Sequence, residues 1–234
     1  MTFFGITYIP LVMLHNYSYK HTETKKITNM CYFYWNLFLS IFSIWGALNS
    51  MPFIINSIYT NGMVFTIINN NLLPKLYKTG IVFAGSKIVE LGDTYFIAIR
   101  GKKIRFIHYT HHWITMLYCW YVHSYIGIDN LTNNVNSIFW SMNYTVHSFM
   151  YTWYSISALG IRTPNWIKNS ITLMQIMQMF IGVYVIMIAN IYGKWYLTDF
   201  YGSLFATCMY SYYCYLFSSF FLKLDKGNNI KKIV

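Results

Sequence analysis

An all-α, polytopic membrane fold is the class this sequence predicts, and three observations predict it. Hydrophobic residues make up 56% of the 234 positions, aromatic residues 21% and charged residues 10%, whereas soluble domains carry about a quarter charged residues. Apolar blocks of the roughly 20 residues needed to cross a bilayer recur along the whole chain. No stretch between the blocks has a core pattern of its own, so residues 1–234 are expected to form one integral membrane domain.

Taken in order, the blocks fall near 2–17, 30–57, 79–99, 104–124, 135–158, 169–191 and 196–222. The first is the weakest: it is short, contains Pro10 and lacks the basic start of a signal peptide. The expectation is about seven transmembrane helices, six of them clear. The net charge is +11, which in a soluble chain would suggest nucleic acid; here its placement argues for topology instead. Lys20, Lys25, Lys26, Arg100, Lys102, Lys103, Arg105, Arg162, Lys168, Lys223, Lys226, Lys231 and Lys232 fall in one alternating set of loops, and only Lys75, Lys78 and Lys194 in the other. Thirteen against three places the first set in the cytosol, together with the tail 223–234. Lys231 and Lys232, fourth and third from the C-terminus, resemble a dilysine signal for retrieval to the endoplasmic reticulum. The sequon Asn130-Leu131-Thr132 then lies on the luminal side, whereas Asn143-Tyr144-Thr145 falls inside a span. Cys31, Cys119, Cys208 and Cys214 all lie in spans without a metal-type spacing and read as packing.

Strongly polar side chains at membrane depth are costly, so each marks a functional hypothesis. Four consecutive spans carry them. In 79–99, Lys87, Glu90 and Asp93 are three apart; Lys87 and Glu90 suit a neutralising structural pair, and Asp93-Thr94 suits orienting a histidine of the next span. In 104–124, His108, His111 and His112 share one helix face at i, i+3 and i+4, continued by Thr115 and Cys119. Three imidazoles on one apolar helix bring six ring nitrogens that need partners, which favours chemistry over packing. In 135–158, Asn143, His147, Tyr151 and Tyr154 share a face, with Asn143 placed to fix the tautomer of His147. In 169–191, Thr172, Gln175 and Gln178 suit either interhelical hydrogen bonding or substrate contact.

Three chemistries use converging intramembrane histidines. A non-haem di-iron desaturase or hydroxylase needs more ligands than the central histidines supply. A histidine-lined transporter would show internal repeats or broken helices, and no convincing repeat is present. Acyl transfer suits the residues best: a neutral imidazole is a competent nucleophile, a neighbouring one can act as its base, and a water-poor site protects the acyl-imidazole.

The ordered motifs K-x-x-E-x-x-D-T at Lys87 to Thr94, the basic loop IRGKK, H-x-x-H-H at His108 to His112, N-x-x-x-H-x-x-M-Y at Asn143 to Tyr151, and T-x-x-Q-x-x-Q at Thr172 to Gln178 resemble the fatty acid elongase (ELO) family over 87–178, with YWNLFLSIFSIWG a looser match upstream. The resemblance implies a very-long-chain 3-ketoacyl-CoA synthase of the endoplasmic reticulum membrane, with six of seven spans around a narrow acyl tunnel. Such an enzyme condenses acyl-CoA with malonyl-CoA and releases CO2 and CoA. By motif position, His111 would be the nucleophile, His147 would oppose it, and His108 and His112 would be acid/base or orienting partners. Asn143 would steady the enolate or a histidine. Lys87, Glu90, Asp93, Thr94, Tyr151, Gln175 and Gln178 would support or contact substrate, and Arg100, Lys102 and Lys103 would meet CoA phosphates. No metal or bound cofactor is expected. Partners would be membrane lipid, the ketoacyl reductase, dehydratase and enoyl reductase of the cycle, and a possible second copy, but not nucleic acid. Trp153 stands where the family usually has Tyr, and the histidine and Asn143 segments look closer to members using saturated and monounsaturated chains.

Overall fold

The computed structural model describes residues 2–17, 26–69, 71–125 and 134–233. The sequon at Asn130 lies outside them, and the side chains of Lys231 and Lys232 are not among those placed. Helices make up the described residues, with no strand among them: α1 (Thr2–Tyr17), α2 (Lys26–Asn61), α3 (Met63–Ile68), α4 (Leu73–Val89), α5 (Leu91–Ile99), α6 (Phe106–Tyr125), α7 (Val135–Ala158), α8 (Asn165–Ile191), α9 (Trp195–Thr198) and α10 (Phe200–Ile233). Each predicted block is helical, with α2 and α8 longer than expected, and two blocks are divided. The block at 79–99 is two helices, α4 starting at Leu73 and α5, meeting at Glu90. The last block begins as the short α9, and α10 then runs on through the expected tail.

Contacts α2–α7, α7–α8, α8–α10, α10–α6, α6–α4 and α4–α2 close a circuit of six long helices, and α1 docks outside it against α6. The α2–α7 contact is by far the most extensive. It is close because Gly46 on α2 lies against the Tyr144 ring on α7, where any Cβ would enter that ring. Tyr144 also packs edge-on against Phe42 and Phe83 and donates to the Thr79 carbonyl.

The outer surface of the bundle is apolar, while polar and charged side chains are buried beside an apolar core. Leu48 is 68% exposed, Leu11 62% and Phe180 55%, while Asn36, Ser50, Lys87 and Glu90 are 0–3% exposed. An apolar surface around an interior that collects the polar groups suits a hydrocarbon solvent, because buried polar groups then find partners while the outside forfeits none. Two helical segments, Thr28–Asn61 and Asn165–Ile191, are by themselves long and apolar enough to cross a membrane.

The two ends of the bundle differ. At one, α5 stops in a reverse turn: Gly101 takes φ 59°, its N–H donates to Ala98 O at 2.9 Å, and Lys102 N–H donates to Ile97 O at 3.1 Å. That pair of bonds is the Schellman stop, and its positive φ suits glycine. It ends α5 just before the basic Lys102, Lys103 and Arg105, with Ile104 buried between them. At the other end, fully buried Asn134 ties α7 to the α3–α4 connection, donating to Thr66 O and Asn71 Oδ1 and accepting from Leu72 N–H. Asp199 receives Tyr121 Oη–H and the Gly202 N–H, which caps α10.

Candidate functional site

The polar faces of α4 to α8 converge inside the circuit. On α4, Lys87 Nζ donates to both Glu90 oxygens, at 2.7 and 3.0 Å, and to Asn143 Oδ1 of α7 at 2.9 Å, and it lies over the Phe83 ring. Ser86 Oγ donates to the same carboxylate at 3.1 Å. An ammonium has hydrogens only to give, so it must face the amide oxygen of Asn143. The amide nitrogen therefore faces His147, with Asn143 Nδ2 and His147 Nε2 3.2 Å apart. Nε2 accepts, the ring proton sits on Nδ1, and Nδ1 lies 4.0 Å from Glu90 Oε2. The expected fixing of His147 by Asn143 is thus present, and Lys87 sets its direction.

Asp93 on α5 accepts from Trp35 Nε1 of α2 at 2.6 Å and from Tyr151 Oη of α7 at 2.7 Å, so one carboxylate joins three helices. Thr94 Oγ1 lies 3.0 Å from His108 Nε2, as the sequence suggested. On α6 the histidines form one group, with ring centroids 4.4 Å apart for His108–His112 and 5.5 Å for His111–His112. Tyr213 of α10 lies tilted against the His111 ring, donates to the His111 carbonyl and accepts from Thr115 Oγ1. Among the described residues, no three His, Cys, Asp or Glu side chains converge in a way that would hold a metal ion.

Two cavities meet at this group. The wide one, about 600 Å³, opens at the basic end and is lined by Arg100, Lys102, Lys103, Arg105 and Lys168, then by His108, His111, His112, Asn143, His147, Gln175 and Gln178. The narrow one, about 40 Å³, runs deeper between aromatic walls, including Phe83, Tyr118, Phe139, Trp140 and Tyr210, toward Asn136, whose amide oxygen accepts from Tyr118 Oη. His111, Asn143, Gln178 and Met179 line both, so they stand at the junction. Outside the membrane-spanning segments, the Lys102 ammonium is held below the usual lysine range by partial burial and by its neighbours Arg100 and Arg105.

Of the residues singled out from sequence, the five histidine and asparagine candidates line the wide cavity, as do Asp93, Arg100, Lys102, Lys103, Gln175 and Gln178. Lys87, Glu90, Thr94 and Tyr151 do not; they sit behind the wall and hold those that do. Trp153, the departure from the family pattern, lines the wide cavity and donates to Thr163 Oγ1. Sequence reasoning missed Trp35, Tyr213 and Tyr8, which act across helices far apart in the chain and carry no local polar pattern.

The sequence pattern described as "ELO: GNS1/SUR4 family" matches residues 1–231. The chain belongs to this ELO family. It is similar to "Very long chain fatty acid elongase 6" of Gallus gallus, 32% identical over 202 residues, covering 84% of this chain and 74% of the relative. The Mus musculus protein of the same name is 32% identical over 207 residues, 85% of this chain and 74% of the relative. "Long chain fatty acid elongase 1" of Caenorhabditis elegans is 34% identical over 203 residues, 81% of this chain and 66% of the relative. No solved structure matches the chain. The ELO match thus extends well beyond the motif core at 87–178, and includes α1.

Proposed function

We propose that this chain catalyses the condensing step of fatty acid elongation, joining a long-chain acyl-CoA to malonyl-CoA. Membership of a family whose named members are fatty acid elongases supports fatty acid elongation in a membrane setting. The observation that carries the finer reading is the junction: His111 and Asn143 stand where a wide cavity with a basic mouth meets a narrow apolar one. A substrate with a polyanionic head and an alkyl tail would place its thioester there.

In this reading the helices of the circuit and α1 make seven spans, and the two cavities form one acyl tunnel entered from the cytosol. The narrow cavity marks the path of the tail, whose aromatic walls must part to admit more than its first few carbons, and Arg100, Lys102, Lys103, Arg105 and Lys168 receive the phosphates of CoA. A neutral nitrogen of His111 attacks the acyl carbonyl, the C–S bond breaks, and the proton that His111 gives up passes to the CoA thiolate by way of His147, whose Nε2 releases the Asn143 amide to take it. Malonyl-CoA then loses CO2, the resulting enolate carbon attacks the acyl group and breaks the C–N bond, and a proton from water, passed through His108 and His112, restores neutral His111. One amide hydrogen of Asn143 is held by His147, and the other is available to the developing oxyanion. His108 and His112 orient the group and carry protons. Nothing in this sequence of steps calls for a metal or cofactor. The product, a 3-ketoacyl-CoA, must pass to reductase and dehydratase partners in the same membrane, taken here as the endoplasmic reticulum.

The test is product formation by purified protein in detergent, given palmitoyl-CoA and labelled malonyl-CoA with EDTA present. The reading predicts a 3-ketoacyl-CoA two carbons longer, absent with His111→Ala. No such product over a range of acyl lengths, from folded protein, would contradict it.

A further inference from the structure

Helix α1 stands outside the circuit, yet it reaches the histidine group. Tyr8 is 9% exposed and packs with Val12 and Ile104. Its hydroxyl lies 2.7 Å from Thr94 Oγ1, and the same Oγ1 lies 3.0 Å from His108 Nε2. A second contact, His15 Nε2 to the Lys102 carbonyl at 3.3 Å, ties α1 to the basic mouth. We infer that Tyr8 is a positioning residue of the site, which through Thr94 holds the lone pair of His108 on Nε2 and the proton on Nδ1, so that the ring presents an N–H donor to its neighbours in the histidine group. The inference deepens the condensing function proposed above and rests on that reading for its kinetic part.

One hydrogen decides the tautomer of His108. A threonine hydroxyl has a single proton to give. A phenol is more acidic than an aliphatic alcohol, so Tyr8 is the better donor of the pair and points its hydrogen at Thr94 Oγ1. That leaves the Thr94 hydrogen for His108, which makes Nε2 an acceptor and puts the ring proton on Nδ1. Without the phenolic hydroxyl, Thr94 is free to turn back to the carbonyl one turn earlier, a bond that threonine in a helix makes readily. Nε2 then loses its donor, and the other tautomer of His108 becomes accessible. The His108–His112 ring contact, at 4.4 Å between centroids, would carry that change to the next histidine. Packing of Tyr8 alone would hold α1 in place without affecting which nitrogen is protonated, so the two roles are separable.

The full-length protein labelled with 15N-histidine tests this, with the His108 signals assigned by their loss in His108→Gln. The wild type should show His108 with the proton on Nδ1, and Tyr8→Phe should show a mixed or reversed tautomer. In the condensation assay Tyr8→Phe should lower kcat about tenfold, the effect of one lost hydrogen bond. It should leave KM for acyl-CoA nearly unchanged and displace the pH profile. Thr94→Val, which cuts the same link from α5, should reproduce the tautomer change, and Thr94→Ser should preserve the wild-type state. Val12→Ala, which loosens α1 without touching the hydroxyls, should lower thermal stability and leave tautomer and kcat alone. An unchanged His108 tautomer in Tyr8→Phe and Thr94→Val would overturn the inference, as would an equal fall in kcat in Val12→Ala. The tautomer is read in the resting protein, so absence of any 3-ketoacyl product from the wild type would refute the condensing function while the 15N signals still decided the role of Tyr8.

Discussion

Replacing Lys87 with Met separates stability from catalysis. The Lys87–Glu90 pair is buried, with side chains 3% and 5% exposed, and Lys87 supplies two of the carboxylate's contacts as well as the one that orients Asn143. Met fills much of the same volume but leaves Glu90 with only the Ser86 hydroxyl at 3.1 Å and His147 Nδ1 at 4.0 Å. Breaking a buried pair by removing one partner costs about 3–5 kcal/mol, because the other charge is left uncompensated. For a chain of this size that corresponds to a fall of about 10 °C in melting temperature. Replacing both residues, Lys87→Met with Glu90→Gln, removes the uncompensated charge and should restore most of the loss, since a buried pair is often no better than a neutral one of similar shape. Activity should not return with it, because Asn143 no longer has an ammonium to hold its oxygen and is free to turn its amide away from His147. The assay is thermal unfolding in detergent followed by size-exclusion chromatography, beside condensation rates on the same preparations. A Lys87→Met protein as stable as wild type, or a double variant that recovers activity along with stability, would refute this reasoning.

Three other outcomes follow from the same geometry. Gly46→Val should destabilise the α2–α7 contact by about 1–3 kcal/mol, the usual cost of overpacking, because Tyr144 must give way and lose its bond to Thr79 O; thermal unfolding checks it. Val122→Phe should fill part of the narrow cavity and shift preference toward shorter acyl-CoA, read as a change in the ratio of kcat/KM between chain lengths. Lys102 has a lowered pKa, so its charge is present below that pKa and is lost as pH rises through it, earlier than for an ordinary lysine. Binding of a polyanionic acyl-CoA should therefore weaken at alkaline pH, and Lys102→Arg should extend tight binding to higher pH, measured by titration at constant ionic strength.

The residues of the site were legible in the sequence to the extent that a 3.6-residue period writes them. The shared face of His108, His111 and His112 and the pairing of Asn143 with His147 each lie within one helix, and Lys87 reaches Glu90 at the end of its own helix; all are within four residues of each other, so spacing alone places them. The link from Thr94 to His108 was also foreseeable, because consecutive helices joined by a short loop must pack as neighbours. What spacing does not write is which helix faces meet. Trp35 and Tyr151 meet at Asp93 across 58 residues in each direction, and Tyr8 meets Thr94 across 86. Tyr8 and Trp35 are aromatic residues among many, with nothing local to mark them. The break at Glu90 was hidden for a related reason: the turn keeps the hydrogen bond from Glu90 N–H to Ser86 O, so the helical period of the polar residues runs through it. The basic loop was legible as charge, but its place at the mouth of the wide cavity depends on the stop at Gly101.

The central claim is that His111 carries the acyl group, and release of CoA before malonyl-CoA is added tests it most directly. Purified protein mixed with excess palmitoyl-CoA alone should liberate close to one CoA thiol per active chain in a rapid burst. The peptide holding His111 should gain the mass of the acyl group after an acid quench. The account predicts both signals in the wild type and neither in His111→Ala. Full product formation without any burst, or an acyl adduct that persists when His111 is replaced, would contradict it.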